Sequence, residues 1–127
     1  MKKISLFIVV FSVLCLESCG KKEEKEDFGP SKSASEVSIE NGKNLFEGKG
    51  TCVACHKPNT KIIGPSIKDI ASIYKEENGN IVEFLKGNEK PIVDPSQYEV
   101  MKTNFSITKK MSNDELESIK LYINSFN

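Results

Sequence analysis

The most reactive side chains of the sequence are concentrated in one pentapeptide, Cys52-Val53-Ala54-Cys55-His56. Its two thiols are three residues apart and can share one turn of helix, and the only histidine of the chain follows directly. The pattern C-x-x-C-H is the signature of covalent haem attachment. Both thiols can reach the vinyl groups of one porphyrin as thioethers, and His56 can bind the iron from the proximal side. We therefore expect one covalently bound haem c, attached at Cys52, Cys55 and His56.

Three other interpretations of the pentapeptide exist, and two of them require features that the sequence lacks. A thioredoxin-like C-x-x-C requires a preceding strand in a βαβ context, and no strand pattern precedes Cys52. A tetrahedral zinc site requires four ligands, whereas the pentapeptide supplies three. A disulfide between Cys52 and Cys55 stays open as an alternative in an oxidising compartment.

The charge composition narrows the classes of partner. The 127 residues carry 18 basic and 18 acidic side chains, and every basic one is lysine. Arginine is the residue that recognises phosphate and guanine bidentately. Its absence, together with the lack of a basic patch interleaved with aromatic residues, predicts that nucleic acid is not a partner.

The N-terminus has the pattern of an export signal. Lysines precede an apolar run over residues 4–16, which is shorter than the about 20 apolar residues of a transmembrane helix. The run ends in Leu16-Glu17-Ser18-Cys19-Gly20, which resembles a bacterial lipobox with cleavage before Cys19 and a diacylglycerol on its sulfur. We predict a lipoprotein signal peptide over residues 1–18 and lipidation of Cys19. The alternatives are an ordinary signal peptide and an uncleaved membrane anchor.

The composition changes again after Cys19. Residues 19–37 are first charged and then rich in serine, with few apolar side chains. Such a segment buries too little surface to offset its ordering entropy. We predict a flexible tether over residues 19–37 and a single folded domain over residues 38–127.

The domain shows helical periodicity and no convincing strand pattern, which predicts an all-α fold of about four short helices. Residues 88–111 include two prolines and little periodicity, so an irregular loop is expected there. Such a long loop is unusual unless it is functional. Short helices and a long loop leave a small hydrophobic core, and a haem would fill its centre. The predicted helices start at the N-cap Ser38, run from Ser66 to Asn78 and from Asn80 to Lys86, and start at Ser112, where Ser112 and Glu115 form a capping box.

Beyond the pentapeptide, residues 39–126 resemble the small bacterial class I monohaem cytochromes c. Gly64-Pro65 follows the haem motif at the spacing of that family. The resemblance implies helices wrapped around one haem with one edge exposed, and a hydrogen bond from His56 to the carbonyl of Pro65 that orients the imidazole. The residues that match the first and last helices of the family are Gly42, Phe46, Ile119, Tyr122 and Ile123.

The sixth ligand of the iron must come from another residue type, because His56 is the only histidine. Met111 directly precedes Ser112, where it is placed to staple the last helix. Met101 lies in the predicted loop about ten residues earlier, and the resemblance implies a ligand methionine in such a loop, so we predict Met101. Met111 and Lys102 are the alternatives, although Lys102 would have to lose a proton against a pKa of about 10.4.

A haem whose two axial positions are filled by protein has no open site for a substrate and passes single electrons. We therefore expect an electron carrier and not an enzyme, with redox proteins as donors and acceptors. Its expected place is the bacterial cell envelope, lipid-anchored on the periplasmic side or at the outer membrane. One alternative is a haem domain with a displaceable sixth ligand that acts as a sensor or minor peroxidase. Another is a redox-inert, disulfide-linked binding lipoprotein.

Overall fold

The computed structural model describes the backbone of residues 34–127 and the side chains of residues 38–127. The predicted signal peptide, the predicted lipid site at Cys19 and all but the last four residues of the predicted tether lie outside the described residues. Among the helices that the structure describes, none is long and apolar enough to cross a membrane.

The described part of the chain is helical and contains no strand, and one isolated backbone bridge pairs His56 with Lys61. The all-α prediction is confirmed, but about four helices is too low a count, because the described residues form six α-helices and two 3-10 helices. In chain order these are α1 (Ala34–Glu47), a 3-10 helix (Cys52–Ala54), α2 (Ile67–Glu76), α3 (Ile81–Leu85), a 3-10 helix (Pro95–Gln97), α4 (Tyr98–Lys102), α5 (Phe105–Thr108) and α6 (Asn113–Asn124).

The predicted starts of three helices are confirmed by their caps. Ser66 precedes α2 and accepts a hydrogen bond of 3.0 Å from the Asp69 N–H. Asn80 precedes α3, and its side chain accepts from two backbone N–H groups. Ser112 and Glu115 form the capping box of α6, in which the Ser112 N–H donates to Glu115 Oε2 over 2.8 Å. Each cap satisfies amide groups that the first turn of a helix leaves unpaired.

Two predictions about helix positions are wrong. Ser38 does not cap the first helix, because α1 begins at Ala34 and Ser38 lies inside it. No glycine or proline interrupts residues 34–41, so the helix can begin before Ser38. The N-cap preference of a serine, worth only about 1 kcal/mol, is too weak to prevent this. Residues 88–111 are not an irregular loop, because they contain a 3-10 helix, α4 and α5. Each of these has five residues or fewer, too few to show a helical period in the sequence.

Helices α1 and α6 form the main helix pair, and Gly42 lies where they meet. A Cβ at position 42 would collide with the backbone carbonyl of Ser118 on α6, so glycine is required for this approach. Next to it, the ring of Phe46 packs edge-on against Tyr122, with 5.4 Å between ring centroids. The pair fixes the point from which the chain leaves α1 and enters the C-x-x-C-H segment.

Candidate functional site

One cavity of about 250 Å³ collects the residues that the sequence singled out. Cys52, Cys55, His56, Pro65 and Met101 all line it. The other wall residues are mostly apolar and come from α1, α2, α3, α4, α6 and the segments that join them. The fold therefore brings a thiol pair, an imidazole and a thioether to one apolar space.

Cys52 is the first residue of the 3-10 helix in the C-x-x-C-H segment, and Cys55 directly follows that helix. Cys52 is buried, and its thiol donates to the Gly50 carbonyl over 3.4 Å. Burial raises the pKa of the Cys52 thiol to about 11. The side chain of Cys55 is half-buried. Thr51 adopts a left-handed conformation with φ of 52° and turns the chain into this helix. Both cysteines are free thiols, so both sulfurs are available for a covalent bond.

The imidazole of His56 is held in one tautomer. Its Nδ1 donates a hydrogen bond of 2.7 Å to the carbonyl oxygen of Pro65, the contact that the resemblance implies. Because a carbonyl can only accept, the proton lies on Nδ1 and the lone pair lies on Nε2. Burial lowers the pKa of His56 below its ordinary value of 6.5. The ring is therefore neutral near pH 7, in the form that binds a metal through Nε2.

Gly64 makes room for this imidazole. A Cβ at position 64 would lie 2.5 Å from Cε1 and 2.9 Å from Nδ1 of His56. The Gly64 N–H donates to the carbonyl of Cys55 over 2.9 Å, which holds the glycine backbone against the ring. Gly64 and Pro65 thus act together, one by leaving space and the other by accepting the proton of Nδ1.

The three candidates for a distal ligand occupy different places. Met101 on α4 is partly buried and lines the cavity. Met111 is not among the cavity-lining residues; it is 8% exposed in the core, packed beside Gly50. The Nζ of Lys102 is 3.0 Å from a carboxylate oxygen of Glu99, and this bond raises the pKa of Lys102. Among these three side chains, Met101 alone lines the cavity.

The sequence assigned no role to several polar residues of the distal wall. Asp94, Gln97, Tyr98 and Asn104 all line the cavity, and the Asn104 side-chain amide donates to the carbonyl of Gly50 over 3.0 Å. The dipeptide Asp94-Pro95 is a recognisable start of a helical turn, so the sequence could have indicated that Asp94 begins an ordered segment. No sequence pattern marks Asn104, because its partner is 54 residues away along the chain.

The donor set fits a covalently attached haem. Within residues 34–127, no group of three or more His, Cys, Asp or Glu side chains could hold a metal ion. A haem iron needs only axial ligands from the protein. The cavity has one imidazole nitrogen with a free lone pair and one thioether, with two free thiols among otherwise mainly apolar walls.

Comparisons with known proteins show the family to which the chain belongs. The family model described as Cytochrome c matches residues 39–127. The chain is similar to cytochrome c-551 of Bacillus subtilis, with 26% identity over 103 residues that cover 78% of this chain and 90% of that protein. It is also similar to cytochrome c-552 of Nitrosomonas europaea, with 40% identity over 42 residues that cover 33% of this chain and 40% of that protein. Cytochrome c-551 of Pseudomonas aeruginosa is 45% identical over 42 residues, 33% of this chain and 39% of that protein.

Proposed function

From the premise that the chain belongs to the cytochrome c family and carries one covalent haem c, we propose that it transfers single electrons by way of a haem held by Cys52, Cys55, His56 and Met101. The observation that carries the proposal is that all four of these side chains line the same cavity. When bound, the haem supplies an iron that changes its charge by one electron.

The residues around His56 orient its imidazole. His56 presents Nε2 because its Nδ1 proton is committed to Pro65. This hydrogen bond makes the imidazole a stronger electron donor and prevents the ring from rotating. Cys52 and Cys55 would hold the haem through thioether bonds, each formed by addition of the thiol across a vinyl group. Gly64 keeps the space that the ring occupies.

On the opposite side of the cavity, Met101 would supply the second ligand of the iron. A thioether ligand favours the reduced state more than a second imidazole would and raises the reduction potential. With His56 and Met101 both bound to the iron, no coordination site would be left for a substrate, and the haem would serve to pass electrons to other redox proteins. This makes the chain an electron carrier and not an enzyme.

The N-terminal segment places the carrier at a membrane. The proposal takes residues 1–18 as a signal peptide, Cys19 as the lipidated residue, and the segment that follows as a tether. Lipidation would hold the domain in the bacterial cell envelope, on the periplasmic side or at the outer membrane. Tethering raises the effective concentration of the domain near donors and acceptors in the same membrane.

Two substitutions test the ligand assignment in the full-length, haem-loaded protein. Met101→Ala should abolish the weak near-infrared band of sulfur bound to ferric iron and allow carbon monoxide to bind rapidly to the ferrous protein. Met111→Leu should preserve the band and the slow binding, since leucine maintains the packing before α6. If Met111→Leu opens the iron and Met101→Ala does not, the assignment is reversed.

A second measurement tests covalent attachment. Wild-type protein produced with a haem-maturation system should retain its haem on a denaturing gel, and the double variant Cys52→Ser with Cys55→Ser should not. A wild-type protein without visible absorption would instead support the disulfide-linked binding lipoprotein. A wild-type protein that is high-spin and binds carbon monoxide at once would support the sensor or peroxidase alternative.

A further inference from the structure

An ion pair joins the two segments that carry the proposed axial ligands. Lys61 Nζ lies 2.8 Å from Asp94 Oδ2. On the proximal side, the backbone of Lys61 pairs with that of His56 in an antiparallel bridge. On the distal side, Asp94 lines the cavity and directly precedes the 3-10 helix Pro95–Gln97, which leads into α4 and Met101. The ion pair therefore connects the neighbourhood of one ligand with the helix that carries the other.

The carboxylate of this pair is held in place. The side chain of Asp94 is 16% exposed, whereas that of Lys61 is 60% exposed. The Ser96 hydroxyl donates to the other carboxylate oxygen over 2.6 Å, and the Gln97 N–H donates to the Asp94 carbonyl over 3.1 Å. The hydrogen bonds from Lys61 and Ser96 also hold the pKa of Asp94 below its usual range. One end of the ion pair is thus fixed on the distal segment, and the other end is open to solvent and salt.

Among the ion pairs of residues 38–127, this pair alone connects the proximal and distal segments. Lys49–Glu115 instead joins the turn before Cys52 to α6. Three others link residues three positions apart on one stretch of chain: Glu83–Lys86, Glu99–Lys102 and Glu117–Lys120.

Met101 is bracketed by two links to the proximal side. The Lys61–Asp94 pair precedes it, and the hydrogen bond from Asn104 to Gly50 follows it. Between them, α4 has no buried residue of its own. A helix of five residues with little burial is held in one position more firmly by such links.

We propose that the Lys61–Asp94 ion pair is a strap that holds α4 over the cavity and reduces how often Met101 leaves the iron. Lys61 and Asp94 act through Met101 and are positioning residues. The proposal rests on the proposed function, because it takes Met101 as the distal ligand. An exposed ion pair shifts an equilibrium by up to about fivefold. Salt screens such a pair, since the Debye length is about 8 Å at physiological ionic strength.

The test uses the full-length, haem-loaded protein and the rate at which carbon monoxide binds to its ferrous form. This binding has to wait until Met101 leaves. Asp94→Asn and Lys61→Gln should each raise the rate by about three- to fivefold, and the double variant should raise it no further than either one. The charge-reversed double variant, Lys61→Asp with Asp94→Lys, should restore most of the wild-type rate. Added sodium chloride should accelerate wild type and leave Asp94→Asn unchanged.

Glu99→Gln is the matched control. It breaks the ion pair between Glu99 and Lys102, which lies on α4 itself and next to Met101 in the sequence but does not cross the cavity. This variant should bind carbon monoxide at the wild-type rate. Equal rates for Asp94→Asn and Glu99→Gln, or a wild-type rate that does not respond to salt, would overturn the strap.

Amide hydrogen exchange of residues 96–104 separates failure of the strap from failure of the ligand assignment. If wild type shows no near-infrared sulfur band, Met101 is not the ligand and the proposed ligation fails. Exchange still reports on the strap in that case, because Asp94→Asn should accelerate exchange in this segment and Glu99→Gln should not. Unchanged exchange in Asp94→Asn would refute the strap whichever residue binds the iron.

Discussion

Replacing Gly64 with alanine tests whether the backbone next to His56 controls the imidazole. The new Cβ would lie 2.5 Å from Cε1 of the ring, and an ordinary carbon contact is about 3.5–4.0 Å, so the ring has to move by roughly 1 Å. Such a shift stretches the 2.7 Å bond from Nδ1 to Pro65 past the hydrogen-bonding range. Losing that bond costs about 1 kcal/mol and the overpacking about 1–3 kcal/mol, so the free energy of unfolding should fall by about 2–4 kcal/mol.

Two measurements on the haem-loaded protein check this prediction. A loss of 3 kcal/mol lowers the Tm of a domain of this size by roughly 12–24 °C. The reduction potential should rise as well, because an imidazole without its hydrogen bond donates less electron density to the iron.

Ile62→Ala is the control for the Gly64 substitution. Ile62 lies in the same loop, is 44% exposed and does not line the cavity. This variant should leave both the potential and the visible spectrum unchanged. A Gly64→Ala protein with the wild-type potential and a Tm within about 2 °C of wild type, less than the shift from 1 kcal/mol, would refute the argument that this position controls the ring.

Three further predictions concern other parts of the chain. Thr108 is fully buried and donates to the Leu85 carbonyl over 2.6 Å, so Thr108→Val should destabilise the protein by about 1–3 kcal/mol in denaturant titrations, whereas Thr108→Ser should lose less. The bond from Lys49 lowers the pKa of Glu115 from its ordinary 4.5. The ionised Glu115 therefore stabilises the fold fully above pH 4.5, the ordinary pKa, and this contribution is lost as the pH falls through the lower folded-state pKa. Glu115→Gln should flatten the dependence of Tm on pH in that acidic range. Cys19→Ala should release the domain from membranes without changing its spectrum, and an intact mass that shows an unmodified Cys19 in the wild type would contradict lipidation.

The local sequence was sufficient wherever a structural feature depends on neighbouring residues. Helix caps are of this kind, because Ser112 and Glu115 satisfy each other within one turn, and the structure confirms them. The C-x-x-C-H segment is another, since its chemistry depends on spacing alone. The start of α1 could not be predicted from Ser38, because a capping preference is weak against a run of residues that all tolerate a helix.

Only the tertiary structure decided which of the candidate site residues line the same cavity. The sequence determined by itself the reactive segment, the all-α class and the two candidate methionines. It contained no signal for the Lys61–Asp94 pair or for the contact between Asn104 and Gly50, whose partners are 33 and 54 residues apart. Local periodicity reports on one helix at a time, whereas contacts of that length depend on how all the helices pack. For the same reason, the packing of the helices decided that Met101 lines the cavity and that Met111 is buried in the core.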